Sequence, residues 1–242
     1  MTLRDVVNAS FLHRDRVRFR AGTSALLGVV LEPPAGAGIV VDVREVAELY
    51  RVDVAADGSA TIGAFAAPSE LVAALPAAFP PDAGAAAMRM RLALYGARLT
   101  IYGLGRTRVA AVEECTIETY ELPATIASPA PPPGLGIGER RRATHDGDAS
   151  YALGVTVALR VSVLGRFDQV RILLDLDGDV RRAAAAEAVL ERQRCDRDLF
   201  PNAARAAAAL VPANDARGSA AARALLPLVL AALRDAFDAA AR

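Results

Sequence analysis

Apolar positions along this chain follow strand-like spacing in some stretches and helix-like spacing in others. Residues 39–43 form a nearly continuous apolar run, which is typical of a strand covered on both faces. Residues 51–55 and 60–65 alternate apolar and polar positions around Asp57-Gly58, a pair that favours a hairpin with a type I′ turn. The pattern therefore predicts a strand, a short helix and a hairpin in this part of the chain.

Further elements are predicted up to about residue 122. They are a strand over 17–20 that enters the turn Ala21-Gly22-Thr23, helices over 69–75 and 85–95, and a hairpin formed by 98–102 and 107–112. Ser69 is a suitable N-cap for the first of these helices, and Pro76 follows its last residue.

Residues 123–138 contain five prolines and three glycines, so we predict a semi-extended linker there. The GLGIG string within it superficially suggests a phosphate loop. A phosphate loop follows a strand, however, whereas this string follows a run of prolines. The string is therefore assigned to the linker.

The part of the chain after the linker is predicted to be α+β. Residues 151–163 and 167–176 form a hairpin, and three helices follow over 180–194, 198–210 and 219–241. The last helix places four apolar residues on one stripe, which indicates a face that packs on a core: Leu226, Leu230, Leu233 and Phe237. Pro227 is expected to kink or divide this helix.

Composition limits the possible partners and location. Of the 242 residues, 53% are hydrophobic, and the 28 basic and 28 acidic residues give no net charge. This balance argues against nucleic acid or an anionic membrane as the main partner, and it mildly favours association in a complex. The amino terminus lacks the apolar segment of a signal peptide, so a cytoplasmic protein is expected. Cys115 and Cys195 are isolated and predict neither a zinc site nor an iron–sulfur cluster.

Several strings resemble the FAD-binding (medium) subunit of molybdenum hydroxylases, the carbon monoxide dehydrogenase and xanthine dehydrogenase family. Val41-Asp42-Val43, followed by Glu48-Leu49, is similar to the family's "IDL" segment and the "EL" after it. Ile62-Gly63-Ala64 matches the family's "IGA", and residues 183–190 resemble its "RA..AEAAL" helix. Residues 211–223 resemble the "P.DD.RGSA.YR" signature, with Ala222 in place of the usual tyrosine.

The resemblance implies a fold, a cofactor and partners. It implies an α+β chain with a shortened two-lobed FAD-binding-type domain over 1–122, the linker over 123–138, and a C-terminal domain over 139–242 that combines an antiparallel hairpin or sheet with three helices. It implies FAD as cofactor, held by residues that match the family's first flavin loop and its "IGA" segment: Ala21, Gly22, Thr23, Ser24 and Gly63. It also implies a molybdopterin-binding large subunit and a [2Fe-2S] small subunit as partners.

The sequence departs from the family in both flavin loops. The first loop carries one glycine, Gly22, where relatives have an AGGT-like turn. It is either a weakened phosphate nest or an ordinary strand-to-helix turn with Thr23 or Ser24 as N-cap. The second loop, "RN..T.GGN" in relatives, is missing between residues 75 and 85, and the chain contains no Gly-Gly pair.

Other groups that could carry chemistry have ordinary interpretations. His13 and His145 are expected to be solvated side chains, and Arg140-Arg141-Arg142 is expected to be a solvated charged run. The spacing of Asp175, Asp177 and Asp179 is similar to a calcium loop, but a turn at the end of a strand fits better because the distal glutamate of an EF-hand is missing.

Two functions remain open at the level of sequence. One is the flavin subunit of a molybdenum hydroxylase, which by resemblance passes electrons from iron–sulfur clusters through FAD to an acceptor and is not catalytic alone. The other is a degenerate homologue that has lost FAD and serves as a structural or regulatory subunit.

Overall fold

The computed structural model describes residues 2–13, 16–79, 84–146, 149–211 and 216–241. The chain forms two compact units, Met1–Pro131 and Pro132–Arg242, and both combine helices with strands. The predicted α+β class is confirmed. Among the helices of the described ranges, none is long and apolar enough to cross a bilayer.

The first unit contains three sheets. Its elements in chain order are α1 (Leu3–His13), β1 (Val17–Arg20), β2 (Gly22–Ser24), β3 (Val29–Leu31), β4 (Ile39–Asp42), β5 (Val52–Val54), β6 (Ala60–Gly63), α2 (Pro68–Ala74), α3 (Ala85–Leu94), β7 (Arg98–Gly103), β8 (Arg106–Ala111) and β9 (Leu122–Ser128). Strands β1 and β4 pair in parallel, β2 and β3 form a short antiparallel pair, and a five-stranded antiparallel sheet has the order β5-β6-β9-β7-β8. Alternate residues of the large sheet form its core, because Ile62, Leu99, Ile101 and Ile126 are fully buried.

The predicted linker is wrong for most of its length. Strand β9 occupies residues 122–128 and lies in the sheet between β6 and β7. Proline is normally excluded from such a position because it cannot donate to the ladder. Pro123 is tolerated because it stands opposite Ile101, where the β7–β9 register shifts. Residues 129–134 are outside strands, and the two units divide among them.

The two predicted hairpins of the first unit are present, but their turns differ from the expectation. Within residues 55–59, all of them described, Gly58 alone has a positive φ, so Asp57-Gly58 is not a type I′ turn. The Gly58 N–H donates to the Ala55 carbonyl and the Ala55 N–H donates to the Ser59 carbonyl, the pattern of a three-residue loop with a glycine bulge. Leu104-Gly105 forms the type I′ turn instead, with φ of 50° and 69°.

The helix predicted over 69–75 is present, but it begins one residue earlier than predicted. Helix α2 starts at Pro68, and its N-cap is Ala67 rather than Ser69. Proline is favoured at the first helical position because its missing N–H would be unpaired there anyway. The Glu70 carboxylate accepts the Ala67 N–H at 3.0 Å, which closes this end of the helix.

The second unit packs three helices against a four-stranded antiparallel sheet. Its elements are β10 (Leu135–Asp146), β11 (Ala149–Val161), β12 (Phe167–Leu176), β13 (Asp179–Arg182), α4 (Ala184–Leu190), α5 (Phe200–Ala208) and α6 (Ala216–Ala240), with the strands in sequential order. The predicted β11–β12 hairpin is confirmed. The helix predicted over 180–194 is wrong at its start, because residues 180–182 pair with β12 as part of β13. Asp177-Gly178, with φ of 60° and 90°, forms the type I′ turn between these two strands.

The glycines of the GLGIG string explain how α6 reaches the sheet. A Cβ added to Gly136 would lie 2.5 Å from the Ala240 nitrogen, and one added to Gly138 would lie 2.9 Å from the Ala236 nitrogen. Both added atoms would also overlap carbonyl oxygens of α6, those of Ala236 and Ala232. The string is therefore neither linker nor phosphate loop: its glycines let the helix backbone lie directly on β10.

Helix α6 continues through Pro227, so of the two predicted outcomes, a kink or a division, the division does not occur. Pro227 is exposed, as is Arg223 one turn earlier, so water can reach the carbonyl that loses its N–H partner. The buried stripe is also rotated by about one residue from the predicted one. It consists of Leu225, Val229, Ala232, Leu233 and Ala236, while Leu226, Leu230 and Phe237 lie at its margin.

A buried ion pair in the first unit makes its stability depend on pH. Glu121 is 4% exposed and accepts hydrogen bonds from Arg108 Nε at 2.8 Å and Nη2 at 2.7 Å. Burial raises the pKa of Glu121, but the Arg108 hydrogen bonds, the hydrogen bond from the Glu118 N–H and the nearby positive charges together outweigh burial and hold the pKa below its ordinary value. The folded state therefore stabilises the charged form of Glu121 relative to the unfolded state.

We expect the stabilisation by Glu121 to be complete above the unfolded-state pKa of about 4.3 and to disappear as the pH falls through the lower folded-state pKa. Glu121→Gln should cost about 1–2 kcal/mol at pH 7, where a charged hydrogen-bond pair is lost. The cost should shrink towards pH 3. Urea unfolding of both proteins between pH 3 and 7 measures this difference. A cost that is the same at every pH would contradict the assignment.

Candidate cofactor-binding site

The structure brings together the two segments that the sequence assigned to the cofactor. Ser24, at the end of β2, donates its hydroxyl to the Ala64 carbonyl at 2.5 Å. Ala64 directly follows Gly63, the last residue of β6, and the two bonded residues are forty positions apart in the sequence. Residues 21–24 and Gly63 are therefore neighbours.

Residues 22–24 form a strand and not an open loop. Strand β2 pairs with β3, so Gly22 stands opposite Leu31 and Ser24 opposite Val29. A turn follows over residues 25–28, in which the Gly28 N–H donates to the Ser24 carbonyl at 2.9 Å. The interpretation of Thr23 or Ser24 as a helix N-cap is therefore wrong, because a hairpin stands where a helix was expected.

Ala21 uses both of its backbone polar groups within the protein. Its N–H donates to the Leu31 carbonyl at 3.1 Å, and its carbonyl accepts the Tyr50 hydroxyl at 3.2 Å. The Tyr50 ring also packs against Phe65 at 5.9 Å between centroids, and partial burial raises the pKa of Tyr50. No feature of the sequence singles out Tyr50, since a tyrosine after a short helix carries no specific signal.

Ser24 is fully buried and its hydroxyl is saturated. It donates to the Ala64 carbonyl and accepts the Leu27 N–H at 3.2 Å. The turn after β2 is held from another side, because Arg89 of α3 donates from Nη1 to the Leu27 carbonyl at 3.0 Å. Three hydrogen bonds from Ser24, Tyr50 and Arg89 thus fix this hairpin to the rest of the unit.

Gly63 has a packing role that needs no cofactor. A Cβ at this position would overlap the carbonyl group of Leu49 and lie 2.6 Å from the Tyr50 nitrogen. The Gly63 N–H donates to the Arg51 carbonyl at 2.8 Å, and the Phe65 N–H donates to the Leu49 carbonyl at 2.8 Å. Glycine is required here because the backbone of residues 49–51 lies directly against it.

The five predicted residues do not fit the pyrophosphate of FAD. A phosphate nest needs several convergent N–H or hydroxyl donors that are free to reach the ligand. The donors named above at Ala21, Ser24 and Gly63 instead bond to carbonyl groups of the chain itself. Gly22, with φ of +82°, and the exposed Thr23 are the remaining two of the five.

The other groups singled out in the sequence have partners or ordinary surroundings. Arg140 forms an ion pair with Asp235, and Arg141 lies 3.7 Å from the Asp175 carboxylate. Asp175 accepts the Gly178 N–H at 2.7 Å, so the predicted strand-ending turn is confirmed. His13 is exposed on the last turn of α1.

Some of the remaining predictions concern groups of which the structure says less. The side chain of His145, the proline segment at 80–83 and part of the 211–223 signature lie outside the described residues. Cys115 and Cys195 are free thiols whose pKa burial raises.

Comparison with known proteins links the whole chain to solved structures and to no sequence family. No protein-family model matches the chain, and no curated protein matches it. Reconstituted CO dehydrogenase from Oligotropha carboxidovorans contains a chain with the same fold, at a TM-score of 0.71 and 22% identity, over 97% of this chain and 94% of that chain. Carbon monoxide dehydrogenase from Hydrogenophaga pseudoflava gives a TM-score of 0.67 at 22% identity, over 98% and 95%.

Quinoline 2-oxidoreductase from Pseudomonas putida 86 is similar in the same way. Its TM-score is 0.65 at 19% identity, over 99% of this chain and 95% of that chain. The resemblance drawn from the sequence is thus confirmed at the level of the fold, over both units. At these identities the similarity establishes the fold alone.

Proposed function

We propose that this chain is a subunit of a multi-subunit oxidoreductase of the molybdenum hydroxylase type, where it takes the place of the medium subunit as a structural component without bound FAD. The partners that the resemblance implies are a molybdopterin-binding large subunit and a [2Fe-2S] small subunit. The location implied by the sequence is the cytoplasm.

The observation that carries the subunit role is the extent of the structural match. The match extends over both units. Nearly all of this chain aligns with 94–96% of the matched chain in CO dehydrogenase and in quinoline 2-oxidoreductase. A protein that had only borrowed a common supersecondary motif would match over one unit. Retention of both units over this length supports a role that depends on the whole chain.

The proposal of a flavin-free subunit rests on the hairpin of residues 21–24. FAD is held by many hydrogen bonds, and each charge-assisted bond that is lost costs about 1.5–3 kcal/mol. The donors of Ala21, Ser24 and Gly63 are satisfied inside the protein. A ligand could recruit them only by breaking their hydrogen bonds to the carbonyl groups of Leu31, Ala64 and Arg51.

The second candidate is the active flavin subunit, which would pass electrons from iron–sulfur clusters through FAD to an acceptor. One observation favours it: Gly22 has a positive φ and is followed by the exposed Thr23, the geometry with which a phosphate nest begins. The two candidates differ in whether the purified chain holds FAD.

Visible absorbance of the purified chain separates the candidates. We expect a colourless protein after incubation with excess FAD and desalting, and no FAD-dependent rise in the unfolding temperature, because a ligand stabilises only the state that binds it. Thr23→Gly, which restores a second glycine to the loop, should also remain colourless, since it frees none of the satisfied donors. A retained flavin band in the wild-type chain would establish the second candidate.

Co-expression tests the subunit role independently of FAD. When co-expressed with a molybdopterin-binding subunit and a [2Fe-2S] subunit from the same source, the chain should co-purify with both at fixed stoichiometry through size exclusion. Failure of the complex to form would refute the subunit role whether or not flavin is found.

A further inference from the structure

The turn between β11 and β12 exposes two large apolar side chains to solvent. Val163 is fully exposed and Leu164 is 78% exposed, which makes them the two most exposed large hydrophobic residues in the described part of the chain. Turn positions normally carry glycine, proline, asparagine, aspartate or serine, because these residues suit the turn backbone. Packing within the second unit therefore does not explain an adjacent valine and leucine here.

Hydrogen bonds hold the backbone of this turn on both sides. The Gly165 N–H donates to the Ser162 carbonyl at 2.9 Å, and the Ser162 N–H donates to the Arg166 carbonyl at 2.9 Å. The segment that follows α4 adds a bond from the Cys195 N–H to the Gly165 carbonyl at 3.0 Å. The apolar pair is thus presented on a fixed backbone, so a partner that binds it does not have to order a flexible loop.

Two positive charges stand side by side next to this turn. Arg166 and Arg194 face each other in an isolated antiparallel bridge, so their side chains lie on the same side of it, and both are exposed. Arg166 donates from Nη1 to the Arg192 carbonyl at 3.0 Å, and within the described ranges neither Arg166 nor Arg194 forms an ion pair with a carboxylate. Like charges directly opposite each other are destabilising. A carboxylate from outside the chain would relieve this repulsion.

Carboxylates close to this end of the hairpin in sequence have other partners. Asp168 is ion-paired with Arg160, Glu191 accepts the Val170 N–H at 2.9 Å, and Asp196 accepts the Asp198 N–H at 2.9 Å. The surface around the turn therefore combines apolar side chains with a pair of guanidinium groups.

We propose that this tip, defined as Val163, Leu164, Arg166 and Arg194, docks into a partner protein that has an apolar pocket with carboxylates at its rim. Apolar anchors that fill a pocket and arginines that form paired hydrogen bonds with carboxylates are typical of binding hot spots. A protein fits better than an anionic membrane, because the 28 basic and 28 acidic residues leave the chain without net charge. The inference rests on the proposed function, since one of the two partner subunits supplies the pocket.

Size exclusion of the co-expressed complex at a series of dilutions tests the tip. Val163→Ser/Leu164→Ser should raise the concentration at which half of the chain dissociates by at least about tenfold, because burial of either side chain is worth at least that factor. Arg166→Glu/Arg194→Glu should weaken the complex by at least about tenfold as well, since it places like charges at the rim of the pocket.

Leu12→Ser/Val109→Ser is the matched control for the apolar variant. It changes the same two residue types at exposed positions of the first unit and should dissociate like the wild type. Thermal unfolding followed by circular dichroism confirms that every variant folds as the wild-type chain does.

The possible failures of this proposal are distinguishable from one another. A wild-type chain that does not assemble would refute the subunit role and the docking together. A complex that forms equally well with Val163→Ser/Leu164→Ser, or an equal loss in the control, would overturn the docking and leave the subunit role intact. An unchanged complex with Arg166→Glu/Arg194→Glu would refute the carboxylate rim.

Flotation with vesicles of equimolar phosphatidylcholine and phosphatidylserine tests the membrane as an alternative occupant of the tip. The wild-type chain should not float with the vesicles. Flotation that is lost in Val163→Ser/Leu164→Ser would assign the tip to a lipid surface and overturn the proposal of a protein partner.

Discussion

Gly138→Val is expected to destabilise the second unit strongly. A Cβ at this position would overlap the Ala232 carbonyl oxygen and lie 2.9 Å from both the Ala232 carbonyl carbon and the Ala236 nitrogen. These are backbone atoms in the middle of α6, so they cannot move aside as the end of a flexible side chain can. Overpacking a core usually costs about 1–3 kcal/mol, and the rigid helix backbone should place this variant at or above the upper limit.

A loss of about 3 kcal/mol is a substantial fraction of the stability of an ordinary domain, which is about 5–15 kcal/mol. Hydrogen exchange measured by mass spectrometry should show loss of protection in β10 and α6, while the first unit keeps its protection. Gly84→Ala serves as the control, because no atom lies within 4 Å of a Cβ at Gly84 and its φ is not positive. Protection in Gly138→Val equal to that of the wild type would show that α6 does not lie on β10 as described.

Local patterns in the sequence predict the elements of this fold well where one face of the element is buried. The β11–β12 hairpin and helix α3 follow directly from apolar spacing. Spacing fails where tertiary contacts override composition. Residues 122–128 contain one of the five prolines of the predicted linker, but their apolar side chains fill the centre of a sheet and the register shift at Pro123 absorbs the missing donor.

The roles of the glycines were the hardest to predict from the sequence, because each role depends on the atoms that pack against the glycine in the fold. Gly138 and Gly63 both permit close approach of another backbone, from α6 and from residues 49–50. A glycine that approaches a helix and one that approaches a phosphate look the same in a single sequence. The structure separates them by the atoms that an added Cβ would meet.

The residues that the resemblance assigns to the cofactor lie together in the structure, while their donors are used within the protein. Residues 21–24 do lie beside Gly63 and Ala64, since Ser24 bonds across to Ala64. Their donors, however, serve the protein. The Ala21 N–H donates to Leu31 of β3, and the Ala21 carbonyl accepts the Tyr50 hydroxyl. Neither partner residue belongs to a motif that predicts this contact from the sequence. Hydrogen-bond satisfaction is a property of the folded chain and not of the loop sequence.

Gly63→Ala should destabilise the first unit by about 2–3 kcal/mol or more, since the added methyl group meets backbone that has no space to retreat. Leu49 is fully buried, and the hydrogen bonds Gly63–Arg51 and Phe65–Leu49 hold the two segments together on both sides of the clash. Thermal and urea unfolding of the chain without any added cofactor measures the effect. For a chain of this size, each kcal/mol corresponds to about 2–4 °C in Tm.

Thr23→Ala is the matched control for Gly63→Ala, because Thr23 is exposed on β2 in the same predicted site and should change stability by less than about 0.5 kcal/mol. Ser24→Ala should fall between the two, because it leaves the buried Ala64 carbonyl without its hydroxyl donor. If Gly63 served mainly to contact FAD, Gly63→Ala would leave the stability of the cofactor-free chain unchanged. A large loss in Gly63→Ala and none in Thr23→Ala would instead establish that Gly63 serves to hold the fold together. The flavin-free subunit that we propose requires this structural role of Gly63.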